Sequence, residues 1–167
     1  MQYLSFNPTI EYDGQTLVDL MVRAKIRDAI KKNTVVYYPW TVTDDMRPDI
    51  VAHKYYGSSK YTWLIFLAND MINPIFDWPL TYKEFIAYIN DKYGSYQSAQ
   101  TTNKYYLNAQ NRIIDYTTYL SLDEDDRDTI SVYDWEYQKN EAKREIKLID
   151  NVFLGQIVQE MYRLFKT

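Results

Sequence analysis

Few residues of this chain have the chemistry of an active site. His53 is the single histidine and cysteine is absent, which excludes metal sites with several His ligands, thiolate metal sites and cysteine nucleophiles. His53 could act as the base of a Ser-His-Asp arrangement, but the sequence contains no GxSxG motif to present a nucleophilic serine. It stands between Ala52 and Lys54 inside a predicted helix, so we expect a structural role for it.

A run of acidic residues invites a calcium-site hypothesis. An EF-hand loop beginning at Asp123 would need glycine at its sixth position and glutamate at its twelfth, where the sequence has Asp128 and Asp134. No pair of carboxylates is marked as a sugar-hydrolysing site, and no GxxxxGKS or GxGxxG phosphate loop is present. We expect a solvated tip, no catalytic, cofactor or metal site, and no enzymatic activity. The run consists of Asp123, Glu124, Asp125, Asp126 and Asp128.

Aromatic residues are the most conspicuous feature, with 18 tyrosines in the chain. Tyrosine is enriched in protein interfaces, and it also serves as half-buried core, so both interpretations stay open. In a strand, Tyr38 and Trp40 would share one face because side chains alternate. A set of aromatics could stack on sugar rings or pack in the core: Tyr37, Tyr38, Trp40, Tyr55, Tyr56, Trp63 and Trp78.

Composition limits the possible partners. The net charge of -4 provides no basic field for a phosphate backbone, so nucleic acid is not expected as a partner. The N-terminal sequence lacks the pattern of a signal peptide, and no apolar run approaches membrane-spanning length. The 46% hydrophobic and 17% aromatic content predicts a folded, soluble chain with one compact core. The absence of cysteine fits folding in a reducing cytoplasm.

Capping and turn residues predict the elements of the N-terminal half. An extended arm turns at Asp13-Gly14, and a TxxD signal starts a helix at Thr16 that runs to about Lys32. A strand follows from Thr34 to Val42, at a sheet edge because Pro39 lacks an amide hydrogen. Pro48 and Gly57 bound a short helix, and a helix buried on several sides follows. Their predicted ranges are Pro48 to Tyr56 and Tyr61 to Asn69.

The C-terminal half predicts a more mixed arrangement. Thr81 and Glu84 form a capping box that opens a third helix ending near Gly94. A loop from Ser95 to Asn103, a hairpin around Asn108 to Asn111 and the acidic tip follow. Then come a helix starting at Ser131 and Asp134, a short strand at IKLI, and a last helix capped by Asn151.

The last helix is strongly amphipathic. Its apolar residues recur at helical spacing on one side, which predicts either packing on the chain's own core or docking in a groove of another subunit. We consider packing on the core somewhat more favourable. The side chains that we single out as candidate partner contacts are Tyr38, Trp40, Trp78, Leu154, Ile157, Met161 and Phe165.

The order of motifs in the middle of the chain is similar to a LysM module. The strand YYPWTV, then DDMRPDIVAHKYYG, then YTWLIFLAND before INP, follow the order of the strand and two helices of such modules. Asp45, Met46, Arg47 and Pro48 replace the small GDT turn, and the helical DWPLTYKEFIAYI replaces the closing strand. These departures alter the loops that usually bind peptidoglycan.

A more specific resemblance covers most of the chain. RPDIVAHKYYG, YTWLIFLAND, INPIFDWPL, KYG and VYDWEYQKNEAKREIKLI resemble, in order, the LysM-like baseplate wedge subunit of contractile-tailed, T-even-like bacteriophages. This resemblance implies a non-enzymatic virion component that binds other wedge proteins. It also implies wedges that join around a central hub into a sixfold tail baseplate, with assembly in the host cytoplasm.

We therefore expect an α+β protein with a LysM-like strand-helix-helix core. Its predicted segments are an N-terminal arm and helix at 1–33, the core with an added third helix at 34–94, and a C-terminal hairpin with helices at 95–167. The alternative function is a peptidoglycan-binding LysM module of a tail or lysis protein. A cell-wall hydrolase is a more distant third.

Overall fold

The computed structural model describes residues 7–19, 21–22, 26 and 36–165. Strands and helices both contribute, which confirms the α+β class. The strands are β1 (Thr9–Tyr12), β2 (Gln15–Val18), β3 (Tyr37–Thr41), β4 (Asn103–Asn108), β5 (Ile113–Ile114), β6 (Arg127–Ser131) and β7 (Glu145–Ile149). The helices are α1 (Pro48–Tyr56), α2 (Thr62–Ala68), α3 (Pro74–Asp77), α4 (Tyr82–Tyr93), α5 (Tyr96–Thr101), α6 (Tyr116–Ser121), α7 (Val132–Ala142) and α8 (Asn151–Phe165), with 3₁₀ turns at Ser59–Tyr61 and Glu124–Asp126.

The chain forms two compact units with separate cores, so the expectation of one compact core is wrong. One consists of Met1–Trp78 and Arg144–Thr167, and the other of Pro79–Lys143. We call the first the frame unit and the second the inserted unit, because the second lies within the sequence of the first. The division into segments 1–33, 34–94 and 95–167 stays a prediction about the order along the chain. Among the described residues, no helix has both the length and the apolar character to cross a membrane.

The frame unit is organised by the antiparallel pairing of β3 with β7. Tyr37 lies opposite Ile149, and Thr41 lies opposite Glu145. Pro39 has no amide hydrogen, so a strand in a two-stranded sheet is compatible with it. The predicted strand at IKLI is confirmed. Its role was not foreseen: the segment DWPLTYKEFIAYI is helical from Tyr82 onward, and β7 supplies the strand that pairs with β3 from far along the chain.

The outer edge of β7 is held by two side chains. The Asn69 carboxamide accepts from the amide of Lys147 and donates to its carbonyl, both at 2.8 Å. The Tyr56 hydroxyl accepts from the buried amide of Ile149 at 2.9 Å. Burial raises the pKa of Tyr56, so the hydroxyl stays protonated and neutral. Both edges of β7 therefore have hydrogen-bond partners although the sheet has only two strands.

Helices α1 and α2 form the rest of the frame core. Pro48 occupies the first turn of α1, and Gly57 ends the helix in the left-handed conformation at φ 75°. The predicted range Pro48–Tyr56 is confirmed, and so is the burial of the next helix. The fully buried side chains of this core include Val51, Leu64, Ile65, Leu148 and Ile149.

The N-terminal arm is a hairpin rather than the start of a helix. The Asp13-Gly14 turn is confirmed, with both residues at positive φ. The helix start at Thr16 is wrong, because Thr16 pairs with Glu11 in the β1–β2 ladder that this turn imposes. Most of the predicted helix from there to about Lys32 lies outside the described residues. Every residue of the two strands is exposed.

The inserted unit packs helices on the three-stranded sheet β5-β4-β6. Thr81 and Glu84 form the predicted capping box at the start of α4. The carboxamide of Asn140 binds the backbone of Leu80 on both sides, accepting at 2.7 Å and donating at 3.0 Å. The core side chains are Phe85, Ile89, Ala99 and Val132.

Two parts of the inserted unit differ from the sequence-based expectation. The predicted loop from Ser95 to Asn103 is wrong: Ser95 accepts from the Ser98 amide at 3.0 Å and caps α5, which buries Ala99. The predicted hairpin around Asn108 to Asn111 is confirmed as β4 and β5. Strand β6 and helix α6 were not predicted, because short polar elements lack a clear periodicity.

A buried carboxylate links α4 to α7. Glu136 accepts from the Tyr93 hydroxyl at 2.6 Å and from the Lys92 ammonium at 2.9 Å. Burial disfavours its charged form, but these two donors outweigh burial, and the pKa of Glu136 lies below its usual range. The Tyr88 hydroxyl and this carboxylate raise the pKa of Lys92. The network therefore stabilises the ionised state.

The hydrogen bond to β7 predicts a stability effect at Tyr56. Tyr56→Phe should lower the free energy of unfolding by about 1–3 kcal/mol, because the buried Ile149 amide loses its acceptor. Tyr61→Phe is the matched control, since that ring packs against the same core but is only half-buried. Urea denaturation at neutral pH measures both variants. Equal effects of the two changes would contradict the account of β7.

The buried carboxylate predicts a pH-dependent effect at Glu136. Its lowered pKa means that it stabilises the folded state above the unfolded pKa of about 4.3, and that this contribution is lost as the pH falls through the folded value. Glu136→Gln should cost about 1–3 kcal/mol at pH 7, and the difference from wild type should shrink below pH ~4. Fluorescence of Trp135, the one tryptophan of this unit, reports the unfolding. A pH-independent difference would contradict this assignment.

Candidate partner-contact surfaces

Helix α8 begins one residue away from the predicted cap. The Asp150 carboxylate accepts from the Val152 amide at 2.9 Å, as a capping side chain does. Asn151 is the first helical residue, and its side-chain carboxamide donates to the backbone carbonyl of Tyr55 at 3.0 Å. The cap assignment to Asn151 is therefore wrong, because that side chain instead joins α8 to α1.

The apolar stripe of α8 packs on the frame unit's own core. Met161 is 3% exposed, and Leu154 and Ile157 are half-buried against the same cluster. Phe165 ends the helix, but its side chain lies outside the described part. Of the two alternatives for this stripe, packing on the core is the one present in the chain. Partner contact by these four residues stays a prediction.

The aromatic residues of β3 form a small stacked group with α1. The Tyr38 ring stacks on Tyr55 with centroids 5.5 Å apart, and Trp40 meets the same ring edge-on at 6.1 Å. The expectation that Tyr38 and Trp40 share a face is therefore confirmed. Tyr38 is 49% exposed and Trp40 is half-buried. One face of the Tyr38 ring is thus occupied within the chain.

Trp78 serves the frame unit as an anchor at its last residue before the inserted unit. Its indole donates to the Met46 carbonyl at 2.9 Å, and its ring is half-buried against the core. Met46 lies in the loop between β3 and α1. Part of the Trp78 side chain is therefore engaged within the chain, and only its exposed part is accessible to a partner.

An exposed apolar surface at α3 was missed by the sequence analysis. Ile72, Ile75 and Phe76, which we call the apolar knob, are 72%, 78% and 71% exposed. The Asp77 carboxylate accepts from the amides of Ile72 and Asn73, both at 2.9 Å, and holds the turn in one conformation. Three apolar residues around a proline have no periodicity that could have shown their exposure.

The acidic residues and His53 form no candidate metal site in the described part of the chain. Among the described residues, no three His, Asp or Glu side chains lie close enough together to hold a metal ion. His53 is exposed on α1. The chemistry on which the sequence analysis began therefore has no assembled site in the described part.

Aromatic side chains are enriched at the centre of protein interfaces, so the exposed apolar and aromatic surfaces favour a role in binding other proteins. Comparison with family models identifies the family: residues 6–161 match Base plate wedge protein 53, so the chain belongs to this family of phage proteins. A comparison with curated proteins found no match. The chain is therefore a structural component of the phage tail baseplate, where it contacts other baseplate components.

The packing of α8 predicts a stability effect at Met161. Met161→Ala should lower the free energy of unfolding of the isolated chain by about 2–5 kcal/mol, because the substitution leaves a cavity in the core. Val152→Ala, on the same helix but at an 83% exposed position, is the control and should change stability little. Thermal or urea unfolding distinguishes them. A stable Met161→Ala chain would mean that α8 does not pack on this core.

Proposed function

We propose that the chain binds other wedge proteins and helps to join wedges around the central hub of a sixfold baseplate, without enzymatic activity. The observation that carries this proposal is the family match, which spans 6–161 and so covers all of the inserted unit and most of the frame unit. Assembly in the host cytoplasm before incorporation into the virion belongs to the same proposal.

We propose further that the frame unit is LysM-like. Strand β3, helices α1 and α2, and strand β7 give the order strand, helix, helix, strand, with the two strands antiparallel. The sequence between α2 and β7 holds the knob and the entire inserted unit. The module would thus be a scaffold that carries additional structure in place of its closing loop.

The apolar knob is the strongest contact candidate in the frame unit. Interfaces depend on a few anchors that fill apolar pockets, and rigid anchors lose little conformational entropy on binding. The bonds from Asp77 and the Asn73 cap on Ile75 at 3.2 Å provide that rigidity. The knob would therefore insert into an apolar pocket of a neighbouring wedge protein.

Peptidoglycan binding by a LysM module of a tail or lysis protein remains the second candidate. Tyr38 favours it, because its ring is 49% exposed and an exposed aromatic ring can stack on a sugar. The stacking of Tyr38 on Tyr55 reduces the ring surface available for a sugar. We therefore place the wedge role first.

The test is co-expression of the tagged chain with the other wedge proteins of the same phage. Wild-type chain should co-purify with a wedge complex, and Ile72→Ser/Ile75→Ser should reduce the yield of that complex by about tenfold or more, since each anchor contributes over 1 kcal/mol. Both positions are exposed, so the folded chain should keep its stability.

The matched control replaces two exposed apolar residues elsewhere, Met21→Ser/Val152→Ser, at positions 89% and 83% exposed. It should leave the complex intact. A wild-type chain that joins no wedge complex but is retained on insoluble peptidoglycan, with retention lost in Tyr38→Ala, would establish the second candidate instead. If both double variants reduce the yield of the wedge complex equally, the apolar knob is not a specific part of the interface.

A further inference from the structure

We propose that one end of the inserted unit docks onto a Lys/Arg-rimmed apolar surface of another wedge protein. We call this end the acidic tip: the exposed face of α6, with Tyr116 and Leu120, and the acidic segment 123–126 that follows it. The inference rests on the proposed wedge function and names a binding surface within it.

The face of α6 is apolar, exposed and held rigidly. Tyr116 and Leu120 are four residues apart, so they lie on one side of the helix, and they are 54% and 52% exposed. The ring of Tyr106 from β4 lies beneath, 4.9 Å from Tyr116 and 4.8 Å from Tyr119 between centroids. A face of this kind can be buried by a partner at low entropic cost.

Arg127, the residue directly after the acidic segment, binds backbone carbonyls. The Arg127 guanidinium donates to the carbonyls of Leu120, at 2.8 Å, and Leu122, and lies 5.5 Å from the Tyr119 ring centroid. These bonds close the segment between α6 and β6. They also direct the cation to backbone carbonyls.

The carboxylates that follow this face along the chain are exposed. In the part of the chain that the structure describes, no Lys or Arg forms an ion pair with them. No three of them converge as ligands for a metal ion. Four exposed acidic side chains therefore place negative charge directly after the apolar face of α6 along the chain, and they are Asp123, Glu124, Asp125 and Asp126.

This charge decides which occupant fits. A twofold-symmetric contact with a second copy of the chain would bring two acidic tips together, and like charges across an interface cost several kcal/mol. Nucleic acid is repelled for the same reason. A protein surface with an apolar centre and a rim of Lys and Arg complements both the face and the charges, and such rims mainly accelerate association.

The test uses the full chain and each purified wedge protein of the same phage as the probe, with association and dissociation measured at several salt concentrations. The tip variant Asp123→Asn/Glu124→Gln/Asp125→Asn should slow association by about tenfold at low salt and flatten the salt dependence. Leu120→Ser should speed dissociation by about tenfold.

The matched control for charge, Glu11→Gln/Asp91→Asn/Glu160→Gln, changes the net charge equally at exposed positions that are not part of the acidic tip, and it should alter association by no more than about twofold. Val152→Ser is the control for Leu120→Ser. If the wild-type chain binds a wedge protein and both tip variants bind it equally well, this inference is overturned, but the proposed wedge function is not. Self-association abolished by Leu120→Ser would assign the surface to a second copy, and no binding to any wedge protein would reject both proposals.

Discussion

The frame unit depends on the pairing of two strands that are far apart in sequence. Strand β7 buries the side chains of Ile146 and Leu148 in the core, and one of its edges pairs with β3. Its second edge would lack hydrogen-bond partners in a sheet of two strands, which is costly where the backbone is buried. The side chains of Tyr56 and Asn69 meet that requirement from α1 and from the end of α2. The pairing thus fixes the positions of both helices.

This arrangement explains how a small module can carry additional structure. The frame unit is complete only when β7 pairs with β3. The chain must therefore leave the frame unit and return to it at fixed positions. The exit is anchored by Trp78, and on return Arg144 accepts at its carbonyl from the Val42 amide at 2.8 Å. The inserted unit has a core and a buried carboxylate network of its own. Both units can therefore present contact surfaces, as a baseplate wedge protein that contacts other baseplate components requires.

Local signals were sufficient for some elements and misleading for others. The bounds of α1 were predicted because Pro48 and Gly57 act through their own backbone geometry. The helix start at Thr16 failed because the pairing set by the preceding turn outweighed a local capping signal. The partner of β3 was beyond local reasoning, since strand pairing across the whole inserted unit leaves no periodic mark. The candidate surfaces were predicted only in part: the face shared by Tyr38 and Trp40 was foreseen, but exposure at the apolar knob depends on tertiary structure.

The central claim is that the chain is a structural wedge subunit whose frame is closed by β3 and β7. An electron microscopy map of an intact tail, at a resolution that shows side chains, tests it most directly. The account predicts density for this chain in the baseplate, with β7 beside β3 and a neighbouring protein covering Ile72 and Ile75. A baseplate without this chain, or one in which β7 is separated from β3 and the knob faces solvent, would contradict it.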